Sequence, residues 1–306
     1  MAKRGRHFKN DFSKESVKND VFTKPKDMVR RNEFDEEKEE RMIEWITFFR
    51  RNPVRFIQTY FGIHLHPYQI LWIWIMQRSN LAYIVASRGA AKTFIIAIWA
   101  LTLAVLYPGI RVIAASKTLR QGGLIIDKIK QLRDNYPNVA REIESITTNQ
   151  NGYECAFHCG STIKSVPSSE NARGQRANYL IIEESRLVSK EILEQILKPF
   201  LFSRTPPYRL KSEYKDDPDL REEGIITYIT SAWYKAEFWY TYVKTCIKRM
   251  VSGDTTANFL AFDYLITIYH NIKTEQMIKN EMGDNDEMTV QMEYLNIPSG
   301  SSGKSF

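Results

Sequence analysis

Residues 81–106 read LAYIVASRGAAKTFIIAIWALTLAVL, and this stretch restricts the chain more than any other. A β-branched apolar run enters a small, basic, glycine-containing turn. A Lys-Thr pair follows, and a long apolar segment begins. The pattern predicts a strand over Leu81–Ala86, a turn over Ser87–Ala91 and a helix from Lys92 to Leu106. The run Phe94–Tyr107 is interrupted by Thr102 and stops at Pro108-Gly109. It is too short to span a bilayer and fits a buried helix.

The same alternation continues. Arg111–Ala115 reads as a strand, and Ser116-Lys117-Thr118 caps a helix running through Leu132. A hairpin is expected over 153–166, turning at Gly160-Ser161. Tyr179–Ile182 and Thr227–Thr230 read as buried strands, with a helix at Ser189–Leu197 between them. Such βαβα alternation implies an α/β fold with a largely parallel sheet and helices on both faces. Upstream, Met42–Phe61 is helical and aromatic with a break at Pro53, and His66-Pro67-Tyr68-Gln69 opens the apolar helix Ile70–Met76. The expected organisation is a flexible charged arm over 1–40, turning helical near Glu36, then a core over 41–232 and a helical lid over 233–298. A Gly/Ser-rich linker occupies 299–306, and 204–223 is an exposed, proline-punctuated insertion.

At 306 residues and 43% hydrophobic content the chain can bury a proper core. Its formal charge of +7 favours a polyanionic partner. Three cysteines, Cys155, Cys159 and Cys246, suit a reducing compartment rather than a disulfide framework. Cys155, His158 and Cys159 lack the second ligand pair that a structural zinc needs. There is no N-terminal apolar signal region.

The turn Ser87–Ala91 approximates the pattern G-x-x-x-x-G-K-[ST], with Ala86 and Ala91 in place of the two glycines. Such a loop works through backbone N–H groups aimed at phosphate from a helix N-terminus. Alanine supplies the same N–H wherever the backbone needs no positive φ. Ser87, Arg88, Gly89, Ala90 and Ala91 would cradle phosphate. Lys92 would reach the β/γ-phosphates and Thr93 would place its hydroxyl on Mg²⁺.

A second signal is Tyr179-Leu-Ile-Ile-Glu183-Glu184, an apolar strand that ends in adjacent carboxylates. In a nucleoside triphosphatase one such carboxylate holds Mg²⁺ and the next polarises the attacking water. Just upstream, Arg173 and Arg176, like Arg88 in the loop, are candidates to stabilise charge on a γ-phosphate. Thr230-Ser231-Ala232 ends the next strand and can sense phosphate state. The amide of Gln69 can both donate to and accept from an adenine edge.

These motifs in this order, Pro-Tyr-Gln, Ser-Arg-Gly-Ala-Ala-Lys-Thr, Ala-Arg-Gly before Leu-Ile-Ile-Glu-Glu, then Ile-Thr-Ser-Ala, resemble the large terminase subunit of tailed phages over roughly residues 60–300. The resemblance implies a P-loop NTPase of RecA/ASCE type with a small helical lid. It implies an ATPase motor that uses ATP and Mg²⁺ to drive double-stranded DNA into a procapsid in the host cytoplasm. The partners it implies are the portal protein, a small terminase subunit and further copies of the chain in a ring. By position, Gln69 would read adenine, Lys92 and Thr93 would hold phosphate and metal, and Arg88 would act on the γ-phosphate. Glu183 would stand where most relatives carry Asp and Glu184 would be the base. Arg173 would be a finger offered across a subunit boundary, and Thr230, Ser231 and Ala232 would couple hydrolysis to movement. Glu for Asp at 183 leaves open which glutamate has which task.

Relatives continue into a nuclease, but Asp254, Asp263, Asp284 and Asp286 form no convincing acidic cluster. The expectation is an ATPase portion without cutting activity. The alternatives are a helicase or other translocase, which needs a second RecA-like lobe, and a non-enzymatic DNA-binding or capsid-docking protein, which would show no Mg²⁺-dependent turnover. DNA-facing residues are expected within Arg120–Lys130 and Lys244–Arg249.

Overall fold

The structure is a computed structural model that describes residues 26–149, 152–202 and 224–300. It divides into two compact units at Asn52/Pro53. In the first, helix α1 (Lys26–Arg51) begins ten residues before the expected onset at Glu36. Its early part is rich in Lys, Arg and Glu, which propagate a helix well but give no apolar periodicity to read. Near its C-terminus Trp45 and Phe49, four residues apart, meet edge to face at 4.8 Å. The rest of the charged arm, the insertion at 204–223 and the chain after 300 lie outside the described residues.

The second unit is built on one eight-stranded sheet. Its strands are β1 (Leu81–Ala86), β2 (Arg111–Ser116), β3 (Ile143–Asn149), β4 (Gly152–Phe157), β5 (Thr162–Pro167), β6 (Tyr179–Glu183), β7 (Ile225–Thr230) and β8 (Ala257–Phe262). The order across the sheet is β3-β4-β5-β2-β6-β7-β1-β8. Pairing is parallel from β5 through β8 and antiparallel at β3·β4 and β4·β5. The hairpin expected at 153–166 is therefore β4–β5. β3 and β8 escape the sequence reading. β3 is an edge strand, exposed at most positions, so it carries no apolar alternation. β8 lies in the segment expected to be a helical lid. That segment is helical elsewhere, but Ala257–Phe262 joins the main sheet beside β1.

The long helices are α2 (Pro67–Arg78), α3 (Lys92–Leu106), α4 (Leu119–Asn135), α5 (Phe238–Val251) and α6 (Glu275–Gly283). α3 is buried at nearly every position from Ile95 to Leu106, as its all-round apolar sequence requires. Trp99 on α3 donates to Tyr179 Oη at 2.9 Å, so its indole N–H is satisfied inside the core. α4 carries two glycines that cost helix stability. A Cβ on Gly122 would collide with Ser165 Oγ, and one on Gly123 would come within 2.6 Å of the Tyr153 ring. The helix thus lies tight against β4 and β5. Of the expected cap Ser116-Lys117-Thr118, only Thr118 caps α4, accepting from Gln121 N at 3.2 Å. Ser116 is the last residue of β2.

Strand order positions the site. β7 and β6 lie between β1 and β2, although the chain passes from β1 through α3 directly to β2. The register pairs Val85 with Thr230, Ile182 with Tyr228 and Ala115 with Ile182. The C-terminal ends of β1, β7, β6 and β2 therefore finish at one rim, where open α/β sheets bind their ligands.

Candidate functional site

The loop Ser87–Ala91, expected to cradle phosphate, leaves β1 at this rim. Gly89 has φ +87 and Ala91 has φ +55. The alanine at 91 therefore occupies a left-handed position, the case in which alanine does not replace glycine freely. Its Cβ costs roughly 1 kcal/mol there, and helix α3 starts at the next residue. The first turn of α3 carries no acidic residue, so its N–H groups and its positive dipole end are left for an anion. The Ser87 hydroxyl is fully buried and has no hydrogen-bond partner among the described residues. An orphaned buried donor inside the loop fits a phosphate oxygen.

Lys92 folds back over the loop, with its ammonium donating to the carbonyls of Ala86 (3.0 Å) and Ser87 (3.2 Å). Burial lowers its pKa, and the carboxylates of Glu184, Glu293 and Glu183 counter that while Arg186 adds to it. The ammonium thus lies within the field of four other charged groups.

Thr93 Oγ1 donates to Glu183 Oε1 at 3.2 Å, and Ser116 Oγ donates to Glu183 Oε2 at 3.1 Å. Glu183 is 8% exposed. Burial pushes its pKa up to about 7, aided by the neighbouring Glu184 and opposed by the two hydroxyls and Lys92. A threonine hydroxyl beside a buried carboxylate is a fitting donor pair for Mg²⁺, which takes one or two protein oxygens and fills its octahedron with phosphate and water. No cluster of three or more His, Cys, Asp or Glu ligands exists among the described residues.

Glu184 is the next residue and is itself left-handed, at φ +48. Strain of this kind gathers at functional sites. It turns Glu184 off the strand axis into a short helical turn, Ser185–Leu187. Behind it Ser185 Oγ bonds Tyr83 Oη at 2.9 Å in the core. The Glu184 carboxylate faces Arg186, whose Nε is 3.1 Å away. Arg186 in turn reaches Glu293 at 2.6 Å. Neither residue stands out in the sequence: Arg186 looks like a strand exit, and Glu293 is one acid in a helical tail.

Thr230, Ser231 and Ala232 end β7 in the middle of the rim. Ser231 Oγ donates to Glu293 Oε2 at 2.9 Å. Asn296, at φ +59, accepts from Ala232 N (2.9 Å) and donates to Val85 O (2.8 Å) and Phe262 O (3.0 Å). One amide thus ties together the ends of β7, β1 and β8. The Arg88 backbone N–H donates to Glu293 O at 2.7 Å, while the Arg88 side chain is exposed.

Other expected residues lie apart or are already engaged. Gln69 is buried at the third position of α2, where Oε1 accepts from His66 N at 2.9 Å, and Nε2 lies 3.3 Å from Tyr68 Oη. Its amide closes a capping box. Tyr68 Oη lies 3.4 Å from Ala90 O, linking α2 to the phosphate loop. Arg173 is exposed and pairs with Glu170 at 2.9 Å. Arg176 donates to Pro199 O. Lys273 is a residue that the sequence does not single out. A Cβ on Gly89 would lie 2.9 Å from its Cε, so this side chain lies directly over the phosphate loop, held by Glu281 at 2.6 Å. Of the expected DNA-facing residues, Arg120, Lys130, Lys244, Lys248 and Arg249 are exposed. Among the described residues no helix is long and apolar enough to cross a membrane.

No protein-family model matches the chain, and no curated protein matches it in sequence. Solved structures do match. The large terminase of bacteriophage HK97 aligns with TM-score 0.58 and 14% identity over 77% of this chain and 51% of that one. The large-terminase ATPase domain of Thermus phage P74-26 aligns with TM-score 0.55 and 12% identity over 79% and 97%. The large terminase of a further, thermophilic bacteriophage, in complex with ADP, aligns with TM-score 0.51 and 10% identity over 76% and 53%. The chain spans about half the length of the first and third of these proteins and nearly all of the P74-26 domain. It has the fold of these large-terminase ATPase domains.

Proposed function

We propose that this chain is the ATP-hydrolysing motor domain of a terminase-type DNA-packaging machine, coupling Mg-ATP hydrolysis to movement of double-stranded DNA into a procapsid. One observation carries the reading. Lys92, Thr93, Glu183 and Glu184 come from separate parts of the chain, yet they meet at a helix N-terminus with a buried, orphaned serine hydroxyl. That is the donor and acceptor set that phosphoryl transfer needs.

The backbone N–H groups of Gly89, Ala91 and Lys92 face the phosphates, since those of Ser87, Arg88 and Ala90 already donate to carbonyls, and Lys92 exchanges the two carbonyls it now contacts for β/γ-phosphate oxygens. Thr93 and Glu183 would hold Mg²⁺, with Glu183 as the ionised carboxylate. When bound, the metal supplies Lewis-acid polarisation of phosphate oxygens. Glu184 accepts a hydrogen bond from the attacking water. Its oxygen has no competing donor in good alignment. This assigns metal to Glu183 and water to Glu184, since Glu183 touches Thr93 and Glu184 does not. Arg173, exposed and held only by a surface ion pair, is suited to act on a neighbouring copy's nucleotide in a ring. Arg88 is the exposed guanidinium of the loop itself. Gln69 sets the start of α2 and reads adenine only by giving up its cap. Thr230, Ser231 and Ala232 pass the state of the site to the rest of the molecule. Portal protein and a small terminase subunit are the expected partners.

The test is Mg²⁺-dependent ATP turnover by the purified chain, with and without double-stranded DNA, over a range of protein concentrations. Turnover should rise with DNA and with concentration, and Lys92→Ala should lower it about 10²–10³-fold. Absence of turnover under all these conditions, or a Lys92→Ala protein as active as the parent, would refute the reading. DNA affinity should fall steeply with salt and depend little on sequence.

A further inference from the structure

Arg186 stands where three parts of the site meet. Its Nη2 lies 2.6 Å from Glu293 Oε1, its Nε lies 3.1 Å from Glu184 Oε2, and its Nη1 donates to Ala232 O at 3.1 Å. The guanidinium also covers the Trp233 ring, 4.6 Å from the centroid. The two carboxylates do not share this cation equally. The Glu293 contact is short. The Glu184 contact is off axis, because Nε and Oε2 are both buried and neither completes a hydrogen bond among the described residues. A buried carboxylate oxygen without a donor is costly, so a small rotation of Arg186 towards Glu184 is favoured unless something holds the guanidinium back.

Glu293 is what holds it. Both of its carboxylate oxygens are engaged, one by Arg186 and one by Ser231 Oγ. Its backbone carbonyl accepts from Arg88 N in the phosphate loop. A single residue of the C-terminal segment therefore touches the loop, the end of β7 and the arginine that faces the water-activating carboxylate. All three side chains are largely buried, with 11% exposure for Arg186, 17% for Glu293 and 26% for Glu184. Solvent therefore screens these charges far less than it screens a surface pair.

We propose that Glu293 and Arg186 form a positioning pair that sets how free Glu184 is to act on water, an inference that rests on the ATPase reading above. While Glu293 holds the guanidinium, the electron pairs of Glu184 remain available to the attacking water. When Glu293 is drawn away, through Ser231 or through its own segment, the whole charge of Arg186 turns to Glu184. That carboxylate then accepts from N–H donors instead of from water, and the chemical step slows. Neither residue touches nucleotide in this scheme. The pair makes the end of β7 an on–off control of the base rather than a passive sensor.

The experiment uses the full chain under conditions where the wild type turns over ATP. It measures kcat, KM, binding of a fluorescent ATP analogue and thermal melting for Glu293→Gln, Arg186→Met and the double variant. Glu293→Gln keeps the shape of the side chain and removes its charge. It should lower kcat about five- to tenfold while KM and analogue affinity stay within about twofold. Adding Arg186→Met should restore most of that loss, because the competing cation is gone. A contact that is merely structural gives no such rescue. Its double variant would be no faster than Glu293→Gln, and that result overturns the inference, as does an unchanged kcat in Glu293→Gln. A wild-type chain with no turnover would instead overturn the ATPase reading itself, and this inference with it.

Discussion

The site has two banks that are built differently. On one side, Ser87–Thr93 and Glu183, the proposed phosphate and metal bank, are joined through loop backbone, one helix N-terminus and hydroxyl contacts. On the other, Glu184, Arg186, Glu293, Ser231 and Asn296 form a charge bank whose members come from up to 112 positions apart, as Glu184 and Asn296 do. The first bank joins one loop and helix start to the end of β6, and its left-handed non-glycine residue is Ala91. The second depends on the end of the described chain folding back to the end of β7. A site assembled in this way separates two tasks. On the ATPase reading proposed above, grip on the nucleotide would stay constant while readiness to hydrolyse it is set by distant segments.

The sharpest test of that division is Glu184→Gln. It should lower kcat about 10²–10³-fold and leave binding of an ATP analogue within about threefold of wild type, measured side by side. A matching loss of binding would merge the two banks into one. Next in size is Asn296→Ala. It removes three hydrogen bonds and takes the acceptor from the N–H of buried Ala232, while Phe262 O keeps Ser87 N as a donor. Stability should fall by about 2–4 kcal/mol in urea unfolding, whereas Gln69→Ala, at the helix cap, should cost about 1 kcal/mol.

The phosphate bank should reveal itself through pH. Glu183 has its pKa raised to about 7 from the usual 4.5, chiefly by burial. Between those values the folded chain holds a proton that the unfolded chain has released. The stability of metal-free protein should therefore fall as pH rises through the window, by up to about 3 kcal/mol relative to Glu183→Gln. Added Mg²⁺ should offset the loss by favouring the ionised form. A flat difference between the two proteins from pH 4.5 to 7.5 would place the Glu183 carboxyl in a wetter setting than its hydroxyl contacts describe. The smallest effect is expected for Ala91→Gly. It relieves the left-handed φ but frees the unfolded chain, so stability should change by no more than about 1 kcal/mol.

How much of this is legible in sequence differs between the banks. The strand–turn–helix at 81–106 can be read residue for residue, because β-branched runs, a glycine at φ +87 and an all-apolar helix are local signals. Lys92, Thr93, Glu183 and Glu184 are singled out in the same way, from strand ends, and the structure brings Thr93 and Glu183 within 3.2 Å. β8 escapes because six residues in an aromatic-rich tail carry no signal that they will pair with β1. Arg186, Glu293 and Asn296 escape because their meaning lies in what they face. The left-handed turn at Ala91 goes the other way: the alanine is visible, but the conformation it must adopt is not.

By itself the sequence determined which segments must be buried, where the strand–turn–helix at 81–106 lies and which carboxylates leave the sheet beside it, since hydrophobic period and helix-terminal chemistry act over a few residues. Only the tertiary structure decided the strand order that sets β7 between β1 and β6, and the return of 293–296 onto that rim. Those features follow from the mutual burial of distant elements and from charges that find partners in space, and neither leaves a mark on adjacent residues.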